Sequence, residues 1–371
     1  MPMLAEVVDA VVGIDTHRDT HQVEIALPTG APIATTTITN DTRGYTGLLA
    51  WIAEHTPGPR LAVSIEGTRS YGTGVARAVG AAGLAVIEAE QPTRTTRRGR
   101  GKSDPIDAHL AVTFALQLQV DRLPTPRADG DRDALRILLG ARHDLTLIST
   151  AQVNRLRALL RDGDNTGNNT GNNTGNNTAD STGDADGQLA RGALTTATLT
   201  TLARRRLPLH ATRAQAVRHD EIRRLALAVR DARRALAANQ AQLQAIVDEL
   251  APGLTDRRGI GPIVAAQALV SFSHPGRIRG EAAFAALAGA SPLEASSGRT
   301  VRHRLNRGGD RALNRALHTI ALTRMASCPR TRAYVARRRA EGKTPREIRR
   351  CLKRYIAREL YRTLTTTMIN N

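Results

Sequence analysis

Aromatic residues make up only 2% of the 371 positions, which argues against binding single strands mainly by stacking bases on aromatic rings. Two cysteines, Cys328 and Cys351, form no Cys-x-x-Cys pair. Zinc fingers and a disulfide framework are therefore excluded, and a reducing cytoplasm is expected. No signal peptide and no run of 18 apolar residues is visible, so a soluble protein without a membrane partner is expected. Lysine is nearly missing too, at Lys102, Lys343 and Lys353 alone. The positive charge is thus carried by arginine, whose planar fork suits two-point contacts to phosphate. That charge is large: 53 basic against 34 acidic residues, a formal +19. Between Arg299 and Arg362 stand 20 basic and 4 acidic residues. Such a segment repels itself unless phosphates neutralise it, which points to a nucleic-acid partner.

The first 120 residues read as α/β. Val7–Ile14 is a β-branched run. Thr20–Leu27 alternates in polarity, and Pro28-Thr29-Gly30 turns it into a third strand, Pro32–Thr39. A helix is expected over Thr42–His55, a strand over Leu61–Glu66, a helix over Tyr71–Ala82, a strand over Leu84–Ala89 and a helix over Ser103–Leu118. Three successive strands, then strands alternating with helices, is the order of an RNase H-like fold, although periodicity alone specifies only a mixed α/β class. Asp131–Arg161 and Glu221–Leu250 carry apolar residues at helical spacing and are expected to pair as a long antiparallel hairpin. Between them Thr-Gly-Asn-Asn repeats three times with nothing apolar to bury, so 163–187 is expected to be a disordered insert. The expected division is an α/β domain over 1–125, a helical connector over 126–250 and a mainly α domain over 251–371.

Four acids stand out. Asp15 ends the first strand, Glu66 ends the fourth, and Asp104 and Asp107 lie at i and i+3 at the start of a helix. If the first and fourth strands are neighbours, all four carboxylates meet. That concentration of negative charge calls for a cation, and an oxygen-only ligand set suits Mg²⁺ or Mn²⁺. Two such ions would serve phosphoryl transfer. Taken singly, each acid has a plainer explanation, since Asp104-Pro105-Ile106-Asp107 is also a good helix start. The basic loop Arg94, Arg97, Arg98, Arg100 and Lys102 adjoins these acids and is expected to bind phosphates.

The carboxy-terminal part offers a second constellation. Gly259 and Gly261, before Pro262, fit a hairpin whose backbone N–H groups approach a phosphate, and equally a tight turn between packed helices. Ser296 and Ser297 stand before Gly298, with Arg299, Arg304, Arg307, Arg311 and Arg315 following. A serine in a glycine-flanked loop ringed by guanidinium groups is suited to attack on phosphorus, though Ser-Ser-Gly alone is more often a plain loop.

The order Asp, Glu, Asp-x-x-Asp, the segment Ser103–Ala108 and the string from Ala288 to Leu313 resemble the insertion-sequence transposases related to the Piv invertase. The resemblance covers roughly residues 8–120 and 250–345. It implies a RuvC-like DEDD domain, in which Asp15, Glu66, Asp104 and Asp107 hold metal, and a C-terminal serine transposase domain. Ser297 matches the nucleophile, with neighbouring Ser296 as the alternative. The resemblance further implies donor and target DNA as partners, a structured non-coding bridge RNA, a homo-oligomer (dimer or tetramer), and nucleoid association in a bacterial cytoplasm. Two other readings fit the same charge: a resolvase-like metal-dependent nuclease and a non-catalytic nucleic-acid-binding protein.

Overall fold

The computed structural model describes residues 2–89, 104–126, 130–164, 182–274, 277–294, 303–304, 306 and 308–369, with backbone only at 104–106, 122, 162–164, 182–185, 303–304 and 369. The chain forms two compact units, Met1–Leu135 together with Val247–Asn371, and Arg136–Ile246. The first and last parts of the expected three-part division thus fall in one unit.

The amino-terminal part is built on a five-stranded mixed sheet. β1 (Ala10–Thr16), β2 (Thr20–Ala26), β3 (Pro32–Thr39), β4 (Leu61–Glu66) and β5 (Ala85–Ala89) lie in the order β3-β2-β1-β4-β5. β1, β2 and β3 pair antiparallel, while β4 joins β1, and β5 joins β4, in parallel. The first and fourth strands are thus neighbours, the condition on which the meeting of the acids rested. β1 starts three residues later than its apolar run, and Asp15 lies inside it. Ala34 and Thr36 on β3 are half-buried between exposed neighbours, the alternation of an edge strand with one solvated face.

Each face of the sheet has its own core. Val12, Ile14, Val63 and Ile65 pack with Leu48 and Ile52 of α1 (Thr42–His55) and Val75 and Val79 of α2 (Thr73–Ala81). Asp41 starts α1 by accepting the Gly44 N–H at 2.8 Å. On the other face Val11, Ala62 and Ile87 pack with Val112 and Ala115 of α3 (Asp104–Leu116). α3 can lie this close because residue 13 is glycine. A Cβ there would stand 2.3 Å from the Ala108 carbonyl oxygen and 2.7 Å from Val112 Cγ2.

The carboxy-terminal part is helical apart from one short hairpin. α8 (Pro262–Phe272), α9 (Glu281–Leu287), α10 (Arg311–Ser327), α11 (Pro329–Ala340) and α12 (Pro345–Ile369) enclose Phe272, Phe284 and Tyr361, whose rings stand 6.0–6.1 Å apart. The hairpin pairs β6 (Leu293–Glu294) with β7 (His303–Arg304).

In the middle unit α4 (Gly130–Asp164) and α7 (Arg213–Leu250) run antiparallel. Asn239 donates to the Leu138 carbonyl, Arg142 to the Leu236 carbonyl, and Arg155 pairs with Glu221. Two helices here are absent from the sequence reading: α5 (Thr182–Arg191) and α6 (Thr196–Arg204). The insert expected over 163–187 is therefore corrected at both ends, because α4 continues to Asp164 and α5 begins at Thr182. Asp186 is tied to Arg205 at 2.7 Å, and Ala190, Leu199 and Leu202 join the core formed by Leu156, Leu160 and Ile222. The Asn165–Thr178 repeat lies outside the described residues. Among those residues no helix is long and apolar enough to cross a membrane.

Candidate functional site

Paired residues on adjacent strands point to the same face of a sheet. Ile14 pairs with Ile65, so Asp15 and Glu66, one residue further along each strand, stand side by side on the opposite face. That is the face covered by α3, as Gly13 and Val11 show. Both side chains are buried, at 6% and 8% exposure. α3 runs antiparallel to β1, since Ala108 and Val112 lie against Gly13 while Ala115 shares a core with Val11. The first turn of α3 therefore sits at the end of the sheet where Asp15 and Glu66 emerge. Asp107 is in that turn and half-buried. Asp104 opens the helix, and its side chain lies outside the described residues. Among the described side chains no group of three or more His, Cys, Asp or Glu residues is gathered closely enough to hold a metal ion.

Two neighbours were missed in the sequence. His17 Nε2 stands 3.1 Å from Asp15 Oδ2. Glu24 of β2, opposite Gly13 and 5% exposed, lies 2.7 Å from His109 Nδ1 on α3. A charged residue between Val23 and Ile25 on a strand was the available signal for Glu24. One buried acid, Glu24, and two partly exposed imidazoles, His17 and His109, are thus added beside Asp15 and Glu66, and the carboxylate oxygens suit a hard cation.

The basic loop with Arg94, Arg97, Arg98, Arg100 and Lys102 lies outside the described residues. So do Ser296, Ser297, Arg299 and Arg307; the first three belong to the segment joining β6 to β7. For Arg304 only the backbone, in β7, is described. The surrounding frame is clear. Gly309 packs so tightly that a Cβ would meet the Gly289 nitrogen at 2.5 Å and the Leu287 carbonyl at 2.6 Å. Asp310 caps α10 by accepting the Ala312 and Leu313 N–H groups, and its other oxygen accepts the Ser271 hydroxyl at 2.6 Å. Asn314 donates to the Ala288 carbonyl at 2.6 Å. The Ala-Gly and Gly-Gly-Asp strings thus lock the two flanks of the serine loop together. Arg311 and Arg315 are exposed on α10. Gly259 adopts φ 83° against Ile320 and Arg324, and Gly261 precedes α8. The hairpin is thus also a tight turn between packed helices.

A family model described as a DEDD-type transposase matches residues 12–163, the stretch that holds the mixed sheet and the buried acids under α3. A second model, described as the transposase IS116/IS110/IS902 family, matches residues 252–336. The chain is thus similar to transposases of the IS110 type at both ends, over residues 12–163 and 252–336. It is 38% identical over 120 residues to the 43.6 kDa protein of insertion element IS110 from Streptomyces coelicolor, across 32% of this chain and 29% of that protein. It is 29% identical over 154 residues to the mini-circle protein of IS117, named for a transposase, from the same organism, across 40% of this chain and 37% of that protein. The chain thus spans about a third of the length of these relatives.

Proposed function

We propose that the protein cuts and rejoins DNA strands to move an insertion sequence, using a covalent serine–DNA intermediate. The observation that carries this reading is the burial of Asp15 and Glu66 side by side where α3 begins, inside the stretch that matches the DEDD transposase model. Two adjacent buried carboxylates repel each other unless positive charge joins them. Asp15, Glu66, Asp104 and Asp107 would hold a divalent cation, Mg²⁺ or Mn²⁺, which supplies compensation for charge on phosphate oxygens.

In the chemical step the Ser297 hydroxyl oxygen bonds to phosphorus as a backbone P–O ester bond breaks, and the departing strand hydroxyl takes up the proton. A second strand hydroxyl then attacks the same phosphorus and frees the serine. Each exchange trades one ester for another, so no external energy source is needed. Exposed arginines such as Arg311 and Arg315 would bind strand phosphates. The acids and the serine act as one composite site in this reading, since neither set is complete alone. A homo-oligomer engaging donor and target DNA, guided by a structured bridge RNA in the bacterial cytoplasm, follows from the resemblance of the motifs.

Ser297→Ala tests the proposal. Covalent protein–DNA adducts, trapped by denaturation, and strand transfer should both vanish, with Ser296→Ala leaving them in place. Hydrolytic cutting that survives Ser297→Ala would instead favour a resolvase-like nuclease. Mixing Asp15→Ala and Ser297→Ala chains locates the composite site: recovered transfer requires sites shared between subunits, and none places it within one chain.

A further inference from the structure

Away from the acids, a cavity of about 1070 Å³ opens among α10, α11, α12 and the turn before α8. Its volume is at the upper end for pockets that engulf whole small molecules. Arg257, Arg258, Arg330 and Arg337 line it, with Tyr334 and Tyr355 between them and Leu352 and Ile356 at its base. Arg324 also borders it, but Arg324 is neutralised by Glu359 through bonds of 2.6 and 3.0 Å. Arg257 lies 3.3 Å from that same carboxylate, which is the one acid in the lining. Arg258 donates to the Ser327 carbonyl and pairs with no carboxylate among the described residues. Arg337 also lies 3.8 Å from Glu341 beyond the lining, so the cavity keeps a net positive charge carried chiefly by Arg258 and Arg330.

Its aromatic lining is as unusual as its charge. The chain has five tyrosines, and two of them meet here edge to face, with centroids 5.9 Å apart at 87°. The Arg337 guanidinium lies 5.5 Å from the Tyr334 ring centre. Tyr355 is 53% exposed, so its ring offers surface to a ligand. Guanidinium forks recognise phosphates, and a tyrosine face above an apolar floor accepts a flat heterocycle. Bases inside a duplex are already stacked and paired, and cannot enter.

We propose that this cavity binds unpaired nucleotides of a nucleic-acid strand, with Tyr355 stacking on a base and Arg257, Arg258, Arg330 and Arg337 holding the flanking phosphates. The inference does not depend on strand transfer. The low aromatic content, which argued against stacking across the chain as a whole, does not apply at this one site.

Fluorescence anisotropy with the full-length protein tests it, using labelled oligothymidylate and oligouridylate, an abasic strand and a short duplex. Tyr355→Ala should weaken binding of the two base-bearing strands roughly fivefold to a hundredfold, and leave the abasic strand and the duplex within twofold. Tyr355→Phe, which keeps the ring, should bind like wild type. Arg330→Ala should weaken all the single strands and flatten their salt dependence. Tighter binding of oligothymidylate assigns the cavity to DNA, and of oligouridylate to RNA. The proposal is overturned if Tyr355→Ala leaves both base-bearing strands within twofold. It is also overturned if that variant weakens the abasic strand equally, if Arg330→Ala leaves the salt slope unchanged, or if polyglutamate displaces oligothymidylate as well as oligouridylate does.

Discussion

At Gly13 a hydrogen stands where any other residue would place a methyl group against the backbone of α3. Gly13→Ala should push α3 from the sheet and cost about 1–3 kcal/mol, the range for overpacking a close contact. Urea unfolding would measure the loss, and transfer activity should fall further than stability, because α3 carries Asp104 and Asp107. Glu66→Gln is expected to behave in the opposite way. It removes one of two adjacent buried charges, so the thermal midpoint should hold or rise, while strand transfer is lost and added Mg²⁺ no longer shifts the midpoint. A midpoint that drops by several degrees, with transfer intact, would show that Glu66 is structural. Asp15 and Glu66 were legible in the sequence because each follows a short apolar strand. The Glu24–His109 contact and the packing role of Gly13 were not, since each depends on which element lies beside which.

The helices show how far a periodic pattern reaches. α4 and α7 were legible because their apolar residues recur over eight or more turns. α5 and α6 were not: 10 and 9 residues long, they show only three and four apolar positions, over too few turns for a period to emerge. α6 forms because Thr195 caps it by accepting the Thr198 N–H at 3.1 Å and because Leu199 and Leu202 are buried. Between the long helices, Glu221 on α7 accepts from Arg224 and from Arg155 on α4. Arg224 first, and then Arg155, hold its carboxyl at about 2 instead of 4.5. A folded-state pKa below the unfolded one means that the ion pairs stabilise the protein above pH 4.5, and that this contribution fades as pH falls through about 2. Glu221→Gln should therefore melt earlier than wild type at neutral pH and together with it near pH 2. Helical circular dichroism across that range would check the convergence; a gap that persists in acid would mean that Glu221 acts through packing.

Across the whole molecule charge is distributed very unevenly. Residues 299–362 carry +16 of the net +19, which leaves +3 for the other 307 positions. This asymmetry was fully legible in the sequence, because counting charges needs no fold. What the charge touches was not legible, because burial and pairing decide which guanidinium groups stay available. Arg324 is consumed by Glu359, whereas Arg311 and Arg315 are exposed. A protein that binds DNA by neutralising phosphates releases condensed counterions, so log affinity falls linearly with log salt, by about 0.9 per phosphate contact on a duplex. Replacing Arg311 and Arg315 by glutamine should therefore reduce the magnitude of that slope by up to about 1.8. Replacing Arg43 and Arg213, equally exposed but outside the basic segment, should leave it unchanged. Both double variants lose the same formal charge, so net charge alone predicts identical slopes. Titrations of a DNA duplex at several salt concentrations separate the two cases, and equal slopes would mean that DNA senses the overall charge and not the carboxy-terminal face.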